Sequence, residues 1–347
     1  MTSQLDPPRP VAAGTRWTRA HEIVDRFAGS GRLGTDLAEV QDRITAAVPR
    51  RPPLVVDAVS GVLTGGKRLR PLLVLGVLYA GPAGDDPAAR ERALDAATAL
   101  ELIHLASLVH DDVMDEADTR HGGPSVNARV DNAIAVLCGD VLIAAAFAAA
   151  ARCGPGGTGV VAGAFAGLCA GQALETQDLF NVDRTERDYF TTLAGKTAAL
   201  FAAAARLGGT AAGLGEATVA RLARYGHHLG LVFQVVDDLL DLTGSAAALG
   251  KPAGHDIVEG VYTLPVLRAR AHRPQLARAL AECRRTGHTA PVLDLLRQTP
   301  AVGEAEDTAT ALTGTAVAAV RDCATELRPG GADMLTELAR CLTGRTR

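Results

Sequence analysis

The chain has 347 residues, of which 48% are hydrophobic and 3% aromatic, and its formal net charge is −4. The apolar fraction is large enough for a substantial core, and the 37 glycines and many alanines favour closely packed helices over sheets. The small negative charge provides no basic field for nucleic acid. We expect no signal peptide and no transmembrane span, because the most apolar stretch, 133–151, contains Asp140. Six scattered cysteines without metal-ligand spacing indicate free thiols in a reducing cytoplasm.

Hydrophobic periodicity predicts helices along most of the chain. The polar, Pro-rich residues 1–16 are expected to form a disordered tail, and residues 17–347 a single all-α domain. Shorter amphipathic helices follow Pro274, and no strand pattern competes with the helical one. The longer helices are predicted over 17–27, 37–48, 54–63, 67–79, 88–117, 127–152, 160–180, 184–207, 216–242 and 255–270, the last interrupted at Pro265.

A basic cluster opens the helix over 67–79. Lys67, Arg68 and Arg70 directly follow Gly65-Gly66. Cations near a helix N-terminus oppose the macrodipole, so stability alone would not select them there. A bound anion would offset this cost, and the alternative is a set of ordinary surface side chains.

Three aspartates end the apolar helix over 88–117. Residues four apart share a helix face, so Asp111 and Asp115 point the same way, with His104 two turns earlier and Asp112 rotated to the side. Two carboxylates about 5 Å apart repel by roughly 3 kcal/mol at an effective dielectric constant near 20. A solvated acidic face is the alternative, but the preceding residues 101–110 are too apolar for a surface helix end.

The same acidic pattern recurs in the helix over 216–242. Asp237 and Asp241 share one face there, beside Asp238, and Gln234 lies one turn before them. Two buried carboxylate clusters require compensating charge, which hard divalent cations with oxygen ligands supply. Mg²⁺ commonly shares such carboxylates with a substrate's phosphates. The pair of clusters therefore predicts a diphosphate-binding site.

Isolated cations accompany these clusters. Lys196 lies in the apolar middle of the helix over 184–207, where it is costly unless an anion or a structural salt bridge pairs it. Arg120 and His121 directly follow the first acidic cluster and could reach the same anion, although basic residues at helix ends are also common for dipole reasons.

Taken in order, these motifs resemble the trans-isoprenyl diphosphate synthases, also called polyprenyl synthetases, over roughly residues 37–267. Any single motif is weak, whereas six in the family's order are highly specific. They are Gly-Gly-Lys-Arg-Leu-Arg-Pro at 65–71, the aspartates at 111–115, Gly-Lys-Thr at 195–197, Phe-Gln at 233–234, the aspartates at 237–241 and Gly-Lys-Pro at 250–252.

The resemblance implies a helical bundle around a deep cavity, usually a cytoplasmic homodimer, that acts on isopentenyl diphosphate and an allylic diphosphate. The implied catalytic residues are Asp111, Asp112, Asp115, Asp237, Asp238, Asp241 and Lys196, with Asp111, Asp115, Asp237 and Asp241 binding about three Mg²⁺ ions. Isopentenyl diphosphate would contact Lys67, Arg70, His104 and His121. The allylic diphosphate would contact Arg120, Lys196, Thr197, Gln234 and Lys251.

Two positions depart from the family pattern. His121 stands where the family commonly has an Arg that binds isopentenyl diphosphate, and a His is only partly charged near pH 7. Val261 stands where a Lys often precedes Thr-Leu-Pro, a form that resembles long-chain actinobacterial members. We therefore expect weaker binding of isopentenyl diphosphate and one fewer cation for the allylic diphosphate.

Small residues near the first aspartates predict a long product. Ala106 and Ser107 lie one helical turn, or about 6 Å, before Asp111, where an aromatic side chain would stop growth early. We expect an all-trans product of C20 or longer, although Leu102, Ile103 or Phe147 could close deeper layers. Alternatives are a C20 geranylgeranyl diphosphate synthase, a terpene cyclase or a non-catalytic synthase subunit.

Overall fold

Helices dominate the computed structural model, which describes residues 16–29, 31–48, 53–120, 123–243 and 253–343. The prediction of an all-α fold is confirmed. The helices are α1 (Arg16–Ala28), α2 (Arg32–Ala47), α3 (Pro53–Leu63), α4 (Leu69–Ala80), α5 (Pro87–Met114), α6 (Val126–Arg129), α7 (Asn132–Ala150), α8 (Gly157–Gln177), α9 (Glu186–Leu193), a π-helical segment (Ala194–Ala198), α10 (Ala199–Ala211), α11 (Glu216–Thr243), α12 (His255–Glu259), α13 (Leu264–His272), α14 (Leu276–Thr286), α15 (Ala290–Arg297), α16 (Ala301–Arg321) and α17 (Gly331–Thr343).

Two apolar clusters form the core. The larger one is built around α4, all of whose residues are buried, and α5, which packs against α4 and α7. The smaller cluster joins α9, the C-terminal half of α11 and α12–α16. Helix α11 contributes to both, with Leu222 and Tyr225 in the first cluster and Val235 and Leu239 in the second. The second acidic motif therefore lies where the two clusters meet.

Glycines allow α10 and α11 to approach closely. A Cβ atom on Gly226 would lie 2.4 Å from the carbonyl oxygen of Phe201, and one on Gly230 would lie 2.6 Å from the Cα atom of Ala198. Neither distance is compatible with ordinary packing, so only glycine fits at these two positions. The contact holds the π-helical segment beside the acidic half of α11.

Three boundary predictions were wrong. The helix predicted over 127–152 is broken before α7, where the Asp131 side chain accepts a hydrogen bond from the backbone N–H of Ile134 at 2.8 Å and caps a new helix. The helix predicted over 255–270 is interrupted at Gly260, which has φ 85°, and Pro265 instead lies in the first turn of α13. Arg16, assigned to the disordered tail, is a buried residue of α1. Residues 1–15 lie outside the described residues.

Among the described residues, one short pair of strands accompanies the helices without changing the all-α fold. Two-residue strands β1 (Thr119–Arg120) and β2 (Gly123–Pro124) pair antiparallel directly after α5. In this pair Thr119 lies opposite Pro124 and Arg120 opposite Gly123. The pairing turns the chain back immediately after the first acidic motif.

Among the described residues, three helices are long and apolar enough to cross a membrane, judged by length and composition alone, so the expectation of no transmembrane span stays a prediction. They are α5, α7 and α8, and 78%, 39% and 28% of their most apolar windows are buried inside the protein. A single aspartate does not offset the hydropathy of so many Ala, Val and Leu residues. The low burial of α7 and α8 leaves an apolar surface exposed.

The close approach at Gly226 predicts a large effect on stability. Gly226→Ala forces backbone displacement and should lower the free energy of unfolding by about 1–3 kcal/mol, measured by urea denaturation. Gly314→Ala is the matched control, because Gly314 lies in α16 with no atom near its Cβ position, and it should be neutral or stabilise by about 0.5–1 kcal/mol. Equal midpoints for the two variants would contradict this packing.

Candidate active site

A cavity of about 380 Å³ opens between the two acidic motifs. It is bounded by the C-terminal ends of α5 and α8, the π-helical segment, α11 and residues 256–263. Among the predicted site residues, those lining it are Asp115, Lys196, Thr197, Gln234 and Asp238. The cavity therefore brings together one acidic residue of each motif, Asp115 and Asp238, with the cation Lys196.

The π-helical segment positions Lys196 in the cavity. Single π turns inside α-helices are rare and frequently mark functional sites, and this one carries Gly195, Lys196 and Thr197. The backbone of this segment touches the backbone of α8, and the contact requires a glycine in each of the two elements. A Cβ atom on Gly195 would lie 2.5 Å from the Gly167 carbonyl oxygen, and one on Gly171 would lie 2.2 Å from the Lys196 nitrogen. The sequence predicted Lys196 in an ordinary helix and gave no sign of the π turn.

Lys196 forms a short salt bridge with Glu175 of α8. Of the two partners left open by the sequence, the structural salt bridge is therefore present. Burial lowers the pKa of Lys196, but the carboxylates of Glu175 and Asp111 outweigh burial and raise it above its ordinary value. Lys196 thus remains charged. The site role of Glu175 was missed, and its only sequence signal was a polar C-terminal half of the helix.

The first acidic motif faces Lys196 at the end of α5. Burial raises the pKa of Asp111 to about 6, Lys196 opposes this rise, and Asp115 adds to it. Burial also raises the pKa of Asp115, whose backbone N–H donates to the Asp111 carbonyl at 2.8 Å. Asp112 points elsewhere, as its rotation around the helix predicts, and accepts a hydrogen bond from Arg120 Nε at 2.6 Å. In this structure Arg120 therefore contacts the motif itself.

The second acidic motif contacts the cavity through Asp238. This buried carboxylate accepts hydrogen bonds from the Tyr189 hydroxyl at 2.6 Å and from Gln234 Nε2 at 2.9 Å. Gln234 in turn accepts one from the Thr197 hydroxyl at 2.9 Å. Burial raises the pKa of Asp238 to about 7 despite these donors. No sequence motif indicated Tyr189.

Asp237 and Asp241, which the sequence assigned to metal binding, have other environments. Asp237 is half-exposed and lies 3.5 Å from a guanidinium nitrogen of Arg16. Asp241 is buried and accepts a hydrogen bond from the Asp256 backbone N–H at 3.3 Å. The three aspartates are thus held by three different parts of the chain. Within the described ranges, no group of three or more His, Cys, Asp or Glu side chains is placed to hold a metal ion by itself.

A partly buried basic cluster lies between the N-terminal end of α4 and His104 of α5. Burial lowers the pKa of Arg70 to about 10 against the opposing carboxylate of Glu101, and Arg70 Nε has no hydrogen-bond partner among the described residues. Burial and then the nearby cations, Arg70 first, lower the pKa of His104 well below its ordinary value. Lys67 is exposed in part, and burial of the rest of its side chain lowers its pKa while Asp237 opposes this change. A cluster with a buried guanidinium donor that lacks an acceptor is suited to binding an anion.

Four predicted residues do not contribute to this description. His121 and Lys251 lie outside the described residues. Ala106 is fully buried and Ser107 is half-buried, with its hydroxyl donating to the His104 carbonyl at 2.8 Å. Neither lines the cavity, so their effect on product length stays a prediction.

The fold and site define a helical protein that carries two acidic motifs around one cavity and a partly buried basic cluster beside it. The chain belongs to the polyprenyl synthetase family, whose model matches residues 52–296. It is 42% identical over 239 residues to a protein named heptaprenyl diphosphate synthase component 2 from Geobacillus stearothermophilus, covering 68% of this chain and 73% of that one. It is 38% identical over 288 residues to the nonaprenyl diphosphate synthase of Mycobacterium tuberculosis, covering 81% and 84%.

A solved structure agrees with these sequence matches. The polyprenyl synthase from Caulobacter crescentus, crystallised with calcium and isoprenyl diphosphate, superposes with a TM-score of 0.81 and 30% identity. The match covers 97% of this chain and 100% of that structure. The family resemblance identified from motifs is therefore confirmed over nearly the whole chain.

The raised pKa of Asp238 predicts a pH-dependent stability. A carboxyl whose pKa rises on folding stabilises the metal-free protein below about pH 4, and this contribution is lost as pH rises through about 7. Between pH 5 and pH 8, the free energy of unfolding of Asp238→Asn should therefore rise by roughly 1–3 kcal/mol relative to the unsubstituted protein. Urea denaturation with a chelator present measures this difference.

The exposed Asp118, seven residues after Asp111, provides the control for this series. Asp118→Asn should follow the unsubstituted protein at every pH. Parallel stability curves for Asp238→Asn and the unsubstituted protein would contradict the raised pKa.

Proposed function

We propose that this protein is an all-trans polyprenyl diphosphate synthase, which condenses isopentenyl diphosphate head to tail with an allylic diphosphate in a Mg²⁺-dependent reaction. One observation carries the proposal: two separate groups of residues suited to anions lie side by side. The first lies between the acidic motifs with Lys196, Thr197 and Gln234, and the second is the partly buried basic cluster of Lys67, Arg70 and His104. Two diphosphate substrates need two such sites.

The residues of the cavity suit an allylic diphosphate shared with metal ions. Hard carboxylate oxygens from Asp111, Asp115 and Asp238 fit Mg²⁺, which usually completes its ligand set with phosphates and water. Burial raises the carboxyl pKa values of Asp111 to about 6 and of Asp238 to about 7, so a bound cation would favour their ionised forms. Bound Mg²⁺ would neutralise the diphosphate so that it can leave as an anion. We propose about three ions, with Asp237 and Asp241 as further ligands.

The reaction follows from these charges. The allylic C–O bond breaks and releases diphosphate, the double bond of isopentenyl diphosphate forms the new C–C bond, and a proton leaves the condensed product. Lys196 orients the allylic diphosphate once it exchanges Glu175 for a phosphate oxygen. The released diphosphate serves as the base, so no side-chain general base is required. The apolar surroundings of the motifs exclude water from the ionised carbon.

The rival functions are less well supported. A terpene cyclase has no use for a second diphosphate site, yet Lys67, Arg70 and His104 form one. A non-catalytic subunit has no need for two complete acidic motifs. The name of the Geobacillus relative, component 2, raises a two-component synthase as the second candidate. That candidate requires a partner chain for activity.

The product is proposed to be C20 or longer. The relatives named heptaprenyl and nonaprenyl diphosphate synthase support a long chain, as do the small side chains of Ala106 and Ser107. A C20 product is the alternative, because solved structures of geranylgeranyl pyrophosphate synthases also match the fold.

We further propose a homodimer formed through α7 and α8. Their exposed apolar residues include Val136 (42% exposed), Leu137 (47%) and Leu174 (38%). Exposed apolar patches mark interaction sites in soluble proteins. A second copy of the chain is the proposed occupant, because a twofold axis pairs the same surface of two copies.

The proposed activity predicts a defined product. The purified protein, given Mg²⁺, labelled isopentenyl diphosphate and primers of C5, C10, C15 or C20, should yield all-trans chains that end at one length, read by chromatography. Asp115→Asn should reduce the rate by about 100-fold or more, because the site loses a carboxylate that binds the charge-neutralising Mg²⁺ ions. The rate of the exposed Asp118→Asn variant should be nearly unchanged. No incorporation with any primer would refute a self-sufficient synthase, and diphosphate release without elongation would indicate a cyclase.

The proposed dimer predicts a change in molecular mass. Leu137→Asp introduces charge into the α7–α8 surface and should convert the dimer to a monomer, as measured by light scattering after size exclusion. Leu54→Asp is the matched control, because Leu54 on α3 is similarly exposed at 49%. A monomeric unsubstituted protein at micromolar concentration would contradict the proposal, and so would equal dissociation by both variants.

A further inference from the structure

The N-terminal helix brings a buried cation to the second acidic motif. The Arg16 side chain is only 7% exposed, and one of its nitrogens, Nη2, lies 3.5 Å from Asp237 Oδ1. The backbone of Arg16 is held from the other side, because the Cys341 thiol of α17 donates to its carbonyl oxygen at 3.3 Å. Arg16 is therefore fixed in place by a distant part of the chain rather than extended into solvent.

Arg16 and Lys67, a residue of the basic cluster, both contact the Trp17 ring. The guanidinium carbon of Arg16 lies 4.0 Å from the centre of this ring, and Lys67 Nζ lies 4.2 Å from the same centre. Lys67 also lies 5.8 Å from the Phe233 ring centre, and the two rings are 5.4 Å apart. Cation–π contacts of this length are favourable, and they hold two cations on one aromatic ring.

The charges around Arg16 are not balanced by its protein partners. Asp237 is the carboxylate that acts on both cations, raising the pKa of Arg16 and of Lys67 against the effect of burial. Burial and then Arg16 lower the pKa of Lys67. The second terminal nitrogen of Arg16, Nη1, is buried and has no hydrogen-bond partner among the described residues. A buried guanidinium donor without an acceptor is costly. An oxygen-rich anion beside Lys67 would remove that cost.

We propose that Arg16 is a further binding residue for the diphosphate of isopentenyl diphosphate, delivered to Lys67 by the N-terminal helix on the surface of Trp17. This inference rests on the proposed function and adds a residue to one of its two anion sites. A planar guanidinium suits this role because it donates two parallel hydrogen bonds to phosphate oxygens. The contact with Asp237 leaves Nη1 available for the ligand.

The test is binding without turnover. Titration of the purified protein with isopentenyl diphosphate, in the absence of metal and primer, is followed by calorimetry. Arg16→Ala should weaken binding by about tenfold or more, as expected for the loss of a charge-assisted hydrogen bond, and Arg16→Lys should recover part of it. Arg19→Ala is the matched control, since Arg19 is an exposed cation of the same helix. Thermal unfolding of each variant verifies that it is folded.

Steady-state kinetics then separates the possible roles. The proposal requires Arg16→Ala to raise KM for isopentenyl diphosphate with little change in KM for the allylic primer. An unchanged dissociation constant and KM for isopentenyl diphosphate would overturn it. A change confined to the KM for the primer or to the Mg²⁺ requirement would also overturn it, because Arg16 would then act only through its contact with Asp237. If the unsubstituted protein binds isopentenyl diphosphate but elongates nothing, the proposed function fails while the assignment of Arg16 stands.

Discussion

The separation of buried charge around α5 is the constraint on which the site depends. Carboxylates gather at the C-terminal end of this helix, where burial raises the pKa of Asp111 to about 6, and His104 lies two turns earlier, where burial and then nearby cations lower its pKa. Neither group can be fully ionised in an apolar interior without opposite charge close by. Lys196 and Arg120 supply part of that charge to the carboxylates, and Asp237 supplies part of it to Lys67. The remaining imbalance favours a cation in one region and an anion in the other.

Close helix packing makes this charge separation possible. Gly171 and Gly195 let α8 and the π-helical segment touch through their backbones, which brings Glu175 and Lys196 into a salt bridge facing Asp111. Larger residues would hold the two helices apart and leave Lys196 without its partner. The salt bridge keeps Lys196 charged and directed into the cavity, so a phosphate oxygen that replaces Glu175 finds the cation already in position. The scarcity of aromatics and the abundance of Gly and Ala in the sequence have this structural consequence.

The sequence predicted the helices and motifs well because both depend on local periodicity. It could not predict which aspartate of the second motif faces the cavity. Four-residue spacing relates Asp237 to Asp241, but the rotation of α11 is set by its contacts with α10 and α9, and these turn Asp238 toward Tyr189. The π turn escaped prediction for the same reason, since it depends on a glycine contact with α8. Tyr189 and Glu175 belong to no motif, so only tertiary packing reveals them.

The second acidic motif is held by three elements that are far apart in the chain. Asp237 contacts Arg16 of α1, Asp238 accepts from Tyr189 of α9, and Asp241 accepts from the backbone that begins α12. A metal ion bound by these carboxylates competes with each of those contacts. Metal binding of the proposed kind would therefore be coupled to the positions of α1, α9 and α12. Because Arg16 and Lys67 both contact the Trp17 ring, the release of Asp237 to a metal would leave the guanidinium with greater need of an anion. Under the proposed function, occupation of the metal site would strengthen the neighbouring anion site, which would give the two substrates a physical reason to bind together.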